Sequence, residues 1–182
     1  MRFFLLITAL ISLFLAPTAF ADQNDPGLDA LFQELRDGTA LDAEETSQRI
    51  LEIWSTAPSP TVTLLYSRAY EAAMANDMDV ARELTSHVTG LAPNFAQGWV
   101  LQATVYLNLE QYELAYDGYR KALELEPRHF IATTDLADIL KANGEDRAAF
   151  DLYQEALKWN PHYAHARRQA AELRESLSGS EI

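Results

Sequence analysis

The chain contains no cysteine in its 182 residues. That absence rules out disulfides as a source of stability, thiolate metal sites and a thiol nucleophile. Strength must therefore come from packing. Positive charge is also scarce: 14 Lys and Arg stand against 27 Asp and Glu, for a net charge of −13 at pH 7. So acidic a chain repels phosphate backbones and anionic bilayers, which argues against nucleic acid and stable membrane insertion. The seven glycines are scattered and form no phosphate loop or nucleophile elbow, so neither a cofactor nor a catalytic centre is expected. There are four histidines. His162 and His165 are close together, but His87 and His129 lie elsewhere and no carboxylate sits at helpful spacing. The pair reads as surface residues rather than a metal site.

Long apolar runs are missing too, except at the start. Met1 and Arg2 give a short basic opening, residues 3–15 are apolar apart from Thr8 and Ser12, and Ala19, Phe20 and Ala21 form an A-x-A site. This is the pattern of a secretory signal peptide cleaved after Ala21. The run is short for a membrane span, which needs about 20 residues. Export with no cysteine suits a bacterial periplasm.

What the chain does have is a ruler. Pro93, Pro127 and Pro161 lie 34 residues apart. Ala69, Ala103 and Ala137 keep the same step, as do Ala81, Ala115 and Ala149, and Leu91, Leu125 and Trp159. A period of this length marks a helix-turn-helix solenoid unit. The units are residues 62–95, 96–129 and 130–163, each expected to hold two amphipathic helices. Their turns fall near Asn76 and Asp77, Leu109 and Glu110, and Asn143 and Gly144. Small residues in the two alanine columns allow close helix approach, and Trp99, Tyr106, Tyr119, Leu136, Leu140 and Tyr153 fill the gaps.

Ahead of the units, residues 22–27 read as a loose terminus and residues 28–57 as a helix pair without the alanine columns. In that pair Asp42 and Glu45 suggest a capping box, and Pro58 with Pro60 suggests a stop. Asn94 with Gln97 suggests a further cap. Residues 164–177 read as a charged capping helix, and residues 178–182 as a tail.

The second unit carries Trp99, Ala103, Tyr106, Ala115, Tyr119, Ala122 and Pro127. The third carries Leu136, Ala137, Ala149, Tyr153, Ala156 and Pro161, and the first carries Ala69, Ala81, Val88 and Pro93 with Thr85 at the aromatic place. These positions resemble the tetratricopeptide-repeat family. With Ile50 to Trp54 and Ser59 to Leu65, the whole chain also resembles small exported members from alphaproteobacteria. The resemblance implies an all-α, right-handed α-solenoid of antiparallel helix pairs whose first helices line a concave groove for a peptide.

The resemblance places Tyr66, Tyr70 and Met74 in that groove, followed by Gln97, Leu101, Thr104 and Asn108, then Ile131, Asp135 and Asp138. The Lys, Asn and Arg carboxylate clamp of chaperone-binding members is absent. Tyr66, Tyr70, Leu101, Ile131 and Asp135 stand in its places, so an apolar, aromatic or basic segment is the expected ligand. Asp135 and Asp138 share a helix face and serve either a cationic ligand or solvent; Tyr66 and Tyr70 grip a ligand or pack against the preceding helix pair. The expected role is a non-enzymatic periplasmic scaffold that binds a protein or peptide. The alternative is structural, with assembly through self-association of the array.

Overall fold

The computed structural model describes residues 23–179. The expected leader and residues 180–182 lie outside the described residues. Among those described there are nine helices and no strands. They are α1 (Leu28–Asp37), α2 (Ala40–Trp54), α3 (Pro60–Met74), α4 (Met78–Leu91), α5 (Ala96–Asn108), α6 (Tyr112–Leu125), α7 (Phe130–Ala142), α8 (Asp146–Trp159) and α9 (Ala164–Gly179). None is long and apolar enough to cross a membrane. The architecture is an all-α helical-repeat solenoid.

The repeat columns form its core. Ala69, Ala103 and Ala137 are fully buried, as are Ala81, Ala115 and Ala149. So are the columns of Thr85, Tyr119 and Tyr153 and of Val88, Ala122 and Ala156. One surface position is equally periodic. Asn76 (φ 61°), Glu110 (φ 59°) and Gly144 (φ 80°) sit 34 residues apart and take left-handed backbone in the turn inside each pair. There Asp77, Gln111 and Glu145 donate from their amides to carbonyls of the preceding helix, at 2.8–2.9 Å. Close approach within a pair is seen at Gly118, where a β-carbon would stand 2.9 Å from that of Ala103.

Three local expectations need correction. The capping box of α2 pairs Thr39 with Asp42, not Asp42 with Glu45: Thr39 N donates to Asp42 Oδ2 at 3.1 Å, and Asp42 N to Thr39 Oγ1 at 3.4 Å. Thr39 directly follows the extended Gly38 that ends α1, so the helix starts one turn earlier than the acidic pair suggests. The N-cap of α5 is Phe95 and makes no side-chain cap; Asn94 and Gln97 have other partners. Finally, α2 ends before both Pro58 and Pro60. Pro60 instead opens α3, where its missing N–H costs nothing, and Ser59 Oγ accepts from Val62 N at 3.3 Å.

The two ends of the array are finished differently. On α3, Thr61, Leu64, Ser67, Arg68 and Glu71 are exposed, whereas their equivalents one unit later, Phe95, Gly98, Leu101, Gln102 and Val105, are buried. Four of these five positions are polar on α3, Leu64 being the exception, which makes the face a largely solvent-facing end. At the other end α9 packs Ala166, Ala170 and Leu173 inward. Ala171, which continues the small column, is exposed.

The concave face as the candidate binding site

The first helices of successive units lean on one another. α3 touches α5 directly. α7 reaches α9 through Asp138 Oδ2 and His165 Nε2 at 2.8 Å, and through Lys141 Nζ and Glu172 Oε2 at 2.9 Å. These helices form the inner row. Side chains at the same unit position on α3, α5 and α7 make rows across it, and the rows differ sharply in exposure.

The first row is Tyr66, Val100 and Thr134. Val100 is 6 % exposed and Thr134 fully buried. Tyr66 is partly buried, packs edge-on against Phe95 with centroids 5.5 Å apart, and bonds to Gln97 and to Ser55 just beyond α2. Burial pushes its phenol pKa up. The second row is Tyr70, Thr104 and Asp138, and the third Met74, Asn108 and Ala142. Here Tyr70 is 51 % and Met74 71 % exposed. Asn108 is exposed, its amide donating to Thr104 O at 2.8 Å. The inner face therefore has a covered half and an open half.

Along the starts of α7 and α9 and the turns after α6 and α8 the cover is the N-terminal helix pair. Trp54, 1 % exposed at the end of α2, stacks on His129 with centroids 4.1 Å apart and planes 13° apart, and packs against Phe130. Its indole Nε1 donates to Glu126 Oε2 at 3.3 Å. Phe32 of α1 meets Trp159 edge-on at 5.7 Å. Asn160 Nδ2 donates to Ser47 Oγ at 3.1 Å. Arg128 binds Glu126 through Nε and Nη2, reaches Asp29 Oδ1 at 2.7 Å, and lies 5.0 Å over the Phe32 ring. Glu126 and Asn160 occupy the same unit position, where the first unit has Ala92. His129 and Tyr163 likewise align with Phe95. Sequence reasoning gave these residues no role; their signal was polar substitution at positions where the first unit has Ala92 and Phe95.

Electrostatics follow from this burial. His129 Nδ1 accepts from Ala132 N at 3.2 Å, so the proton sits on Nε2 and is donated to Gln97 Oε1 at 2.8 Å. Full burial pulls the imidazole pKa down to about 3, leaving a neutral ring that caps α7. Leu101 and Asp135 share a row turned into the seams between units. Leu101 is 7 % exposed, and Asp135 bonds to Tyr119 with its pKa pushed up to about 6 by burial. Asp138 accepts from Tyr153 Oη and from His165, whose Nδ1 in turn accepts from Arg168 Nη2 at 2.8 Å. Thr104 bonds to Tyr119 Oη at 3.0 Å. Ile131 lines a cleft of about 290 Å³ between α2 and the starts of α7 and α9, with Ala43, Ser47, Leu51, Tyr163 and His165.

The candidate residues thus separate into three groups. Tyr70, Met74, Asn108 and, at its edge, Asp138 belong to the open half. Tyr66, Gln97 and Ile131 face the N-terminal pair. Leu101, Thr104 and Asp135 are engaged between helices. Among the described residues no group of three or more His, Asp or Glu side chains is placed to hold a metal.

Comparison with known proteins agrees with this geometry. The family profile described as "Tetratricopeptide repeat" matches residues 96–129. A TPR repeat-containing protein of Rhizobium etli is 28 % identical over 156 residues, 84 % of this chain and 76 % of that protein. Among solved structures, the first TPR domain of Spaghetti bound to an HSP90 peptide superposes with a TM-score of 0.63 at 16 % identity, covering 67 % of this chain and 97 % of that one. The Yersinia enterocolitica type III secretion chaperone SycD, in complex with a peptide of the translocator YopD, gives 0.62 at 16 % identity, covering 68 % and 97 %. Residues 96–129 thus match a tetratricopeptide repeat, and the fold of the described residues is that of tetratricopeptide-repeat proteins. That fold is in general that of a non-enzymatic protein-interaction module.

Proposed function

We propose that the protein is an exported, periplasmic scaffold that binds an extended protein segment on the open half of its concave face. The observation that carries this reading is the exposure of Tyr70 and Met74 on the inner row, where equivalent residues of later units are smaller or polar. Solvating large apolar side chains on a well-packed array is unfavourable, at about 25 cal/mol per Å² of apolar surface. In the same row two units on, Asp138 offers a partly exposed carboxylate. The matching ligand presents an apolar or aromatic residue together with a cation. Peptide-bound structural neighbours are consistent with such use of the fold.

The test is a benzoylphenylalanine photocrosslinker placed in turn at Tyr70, Met74 and Glu83 in cells expressing the full chain. The expected result is one shared crosslinked partner from positions 70 and 74, diminished by Asp138→Asn, and none from Glu83 on the outer row. Crosslinks from Glu83 alone would place binding elsewhere.

A further inference from the structure

The array from α3 to α9 is complete without α1 and α2. Its N-terminal end is finished by mostly polar side chains on α3 around the exposed Leu64, and the helix pair does not stack there. Instead the pair turns back across the inner row and seats on the turns after α6 and α8. The connection is short: Ser55 to Ser59 carry no helix, and Pro58 follows Ala57. The pair thus lies where a ligand helix would lie, as a body attached through one hinge.

The seat is tight but incomplete. Trp54, Ile50 and Phe32 are buried almost entirely. Yet the indole Nε1 of Trp159, pressed by Phe32, is buried without a hydrogen-bond partner among the described residues. A buried donor left unpaired favours any state that lets water reach it. The cleft of about 290 Å³ between α2 and the starts of α7 and α9 leaves apolar surface of Leu51, Ile131 and Tyr163 unfilled beside the seated helix. One outer anchor, the Arg128–Asp29 pair, has its carboxylate 89 % exposed, and exposed ion pairs hold weakly.

We propose that α1 and α2 form a displaceable occupant of the groove, and that the partner element replacing them is an amphipathic helix. The chemistry of its contact face is set by what the seat already holds: an indole for the ring of His129 and the carboxylate of Glu126, and an aliphatic side chain one turn before it, as Ile50 stands before Trp54. The cleft is the foothold, and Ser55 to Ser59 the hinge. This rests on the concave face being the binding surface, and it adds that binding there is regulated from within the chain.

Native-state hydrogen exchange on the unaltered chain gives the first test. Amides of residues 28–54 are expected to exchange together, about tenfold or more faster than the buried amides of α5 to α8. The absence of cysteine allows a second. Ser47→Cys with Asn160→Cys places the only two thiols of the chain at residues now in hydrogen-bond contact. Oxidation should slow exchange of residues 28–54 to the rate of the array. A labelled synthetic peptide of residues 40–56 should bind the reduced full chain about tenfold or more tightly than the oxidised one, and its Trp54→Ala form should bind neither. Exchange of residues 28–54 at the rate of α5 to α8, equal capture of the peptide by both forms, or capture by neither, overturns the proposal. If the disulfide does not form, exchange on the unaltered chain still decides. Separate opening of residues 28–54 with no crosslinks from Tyr70 or Met74 would instead defeat the groove reading.

Discussion

Replacing Trp54 with Ala should be the most damaging single change outside the repeat columns. The side chain is 1 % exposed and contacts Phe32, His129 and Phe130. Burying a Trp removes about 150–250 Å² from water, worth about 4–6 kcal/mol at 25 cal/mol per Å² as an upper estimate. Core Trp-to-Ala changes cost about 3–5 kcal/mol. The lost donor adds little, because Glu126 keeps three bonds from Arg128. The expected loss is therefore about 3–5 kcal/mol. Trp54→Phe keeps a ring on His129 and loses only the N–H bond, for about 1–2 kcal/mol. Because the contacts with His129, Phe130 and Glu126 lie between α2 and the array, the loss should appear first as release of residues 28–54. Urea melts followed by circular dichroism give the magnitude, and limited proteolysis at residues 55–59 gives the location. A loss below about 1 kcal/mol for Trp54→Ala, with the hinge uncut, would refute the account of the seat.

Glu110 holds φ 59° at the turn position that Gly144 fills in the next unit, so Glu110→Gly should stabilise by about 0.5–1 kcal/mol in a thermal melt. At Gly118, where a β-carbon meets Ala103 at 2.9 Å, Gly118→Val should cost about 1–3 kcal/mol by forcing α5 and α6 apart. The pH dependence should show two opposed contributions. The lowered pKa of His129 gives stability that is full above about 6.5 and is lost as pH falls towards about 3. The raised pKa of Asp135 gives stability that is full below about 3.8 and is lost as pH rises through about 6. They offset each other between about pH 4 and 6. Asp135→Asn should therefore lose stability relative to the parent on acidification over that window, by about 1.4 kcal/mol per pH unit. A difference independent of pH in paired denaturant melts would contradict the burial assigned to Asp135.

The repeat was legible because packing left a periodic trace. Each alanine column faces the same neighbour in every unit, so the same small residue recurs, and Tyr119 and Tyr153 recur for the same reason. The placement of residues 28–54 was not legible. Those residues are helical by pattern, but their seat is made by long-range pairs such as Trp54 with His129 and Ser47 with Asn160, which leave no periodicity. The groove was half legible. Tyr70, Met74 and Asn108, assigned to the inner row by the resemblance, lie exposed there. The surroundings of Tyr66 and Ile131 could not be read, because the cover comes from elsewhere in the chain. Glu126 and Asn160 show where a trace existed: a charged residue and an amide in a column that begins with Ala92 signal a partner outside the repeat.

The position of the N-terminal pair can be measured directly. Spin labels at Gln48→Cys and Arg167→Cys, in a chain without other cysteines, report the separation of α2 from α9 by pulsed electron resonance. A pair seated across the inner row gives a distance of about 20 Å or less, since neighbouring helices pack at about 8–10 Å. A pair stacked beyond α3 as a fourth unit would stand several helix layers away, at about 40 Å or more. The short distance is predicted; a population only at the long one would contradict the seat in the groove, and with it the regulated scaffold built on it.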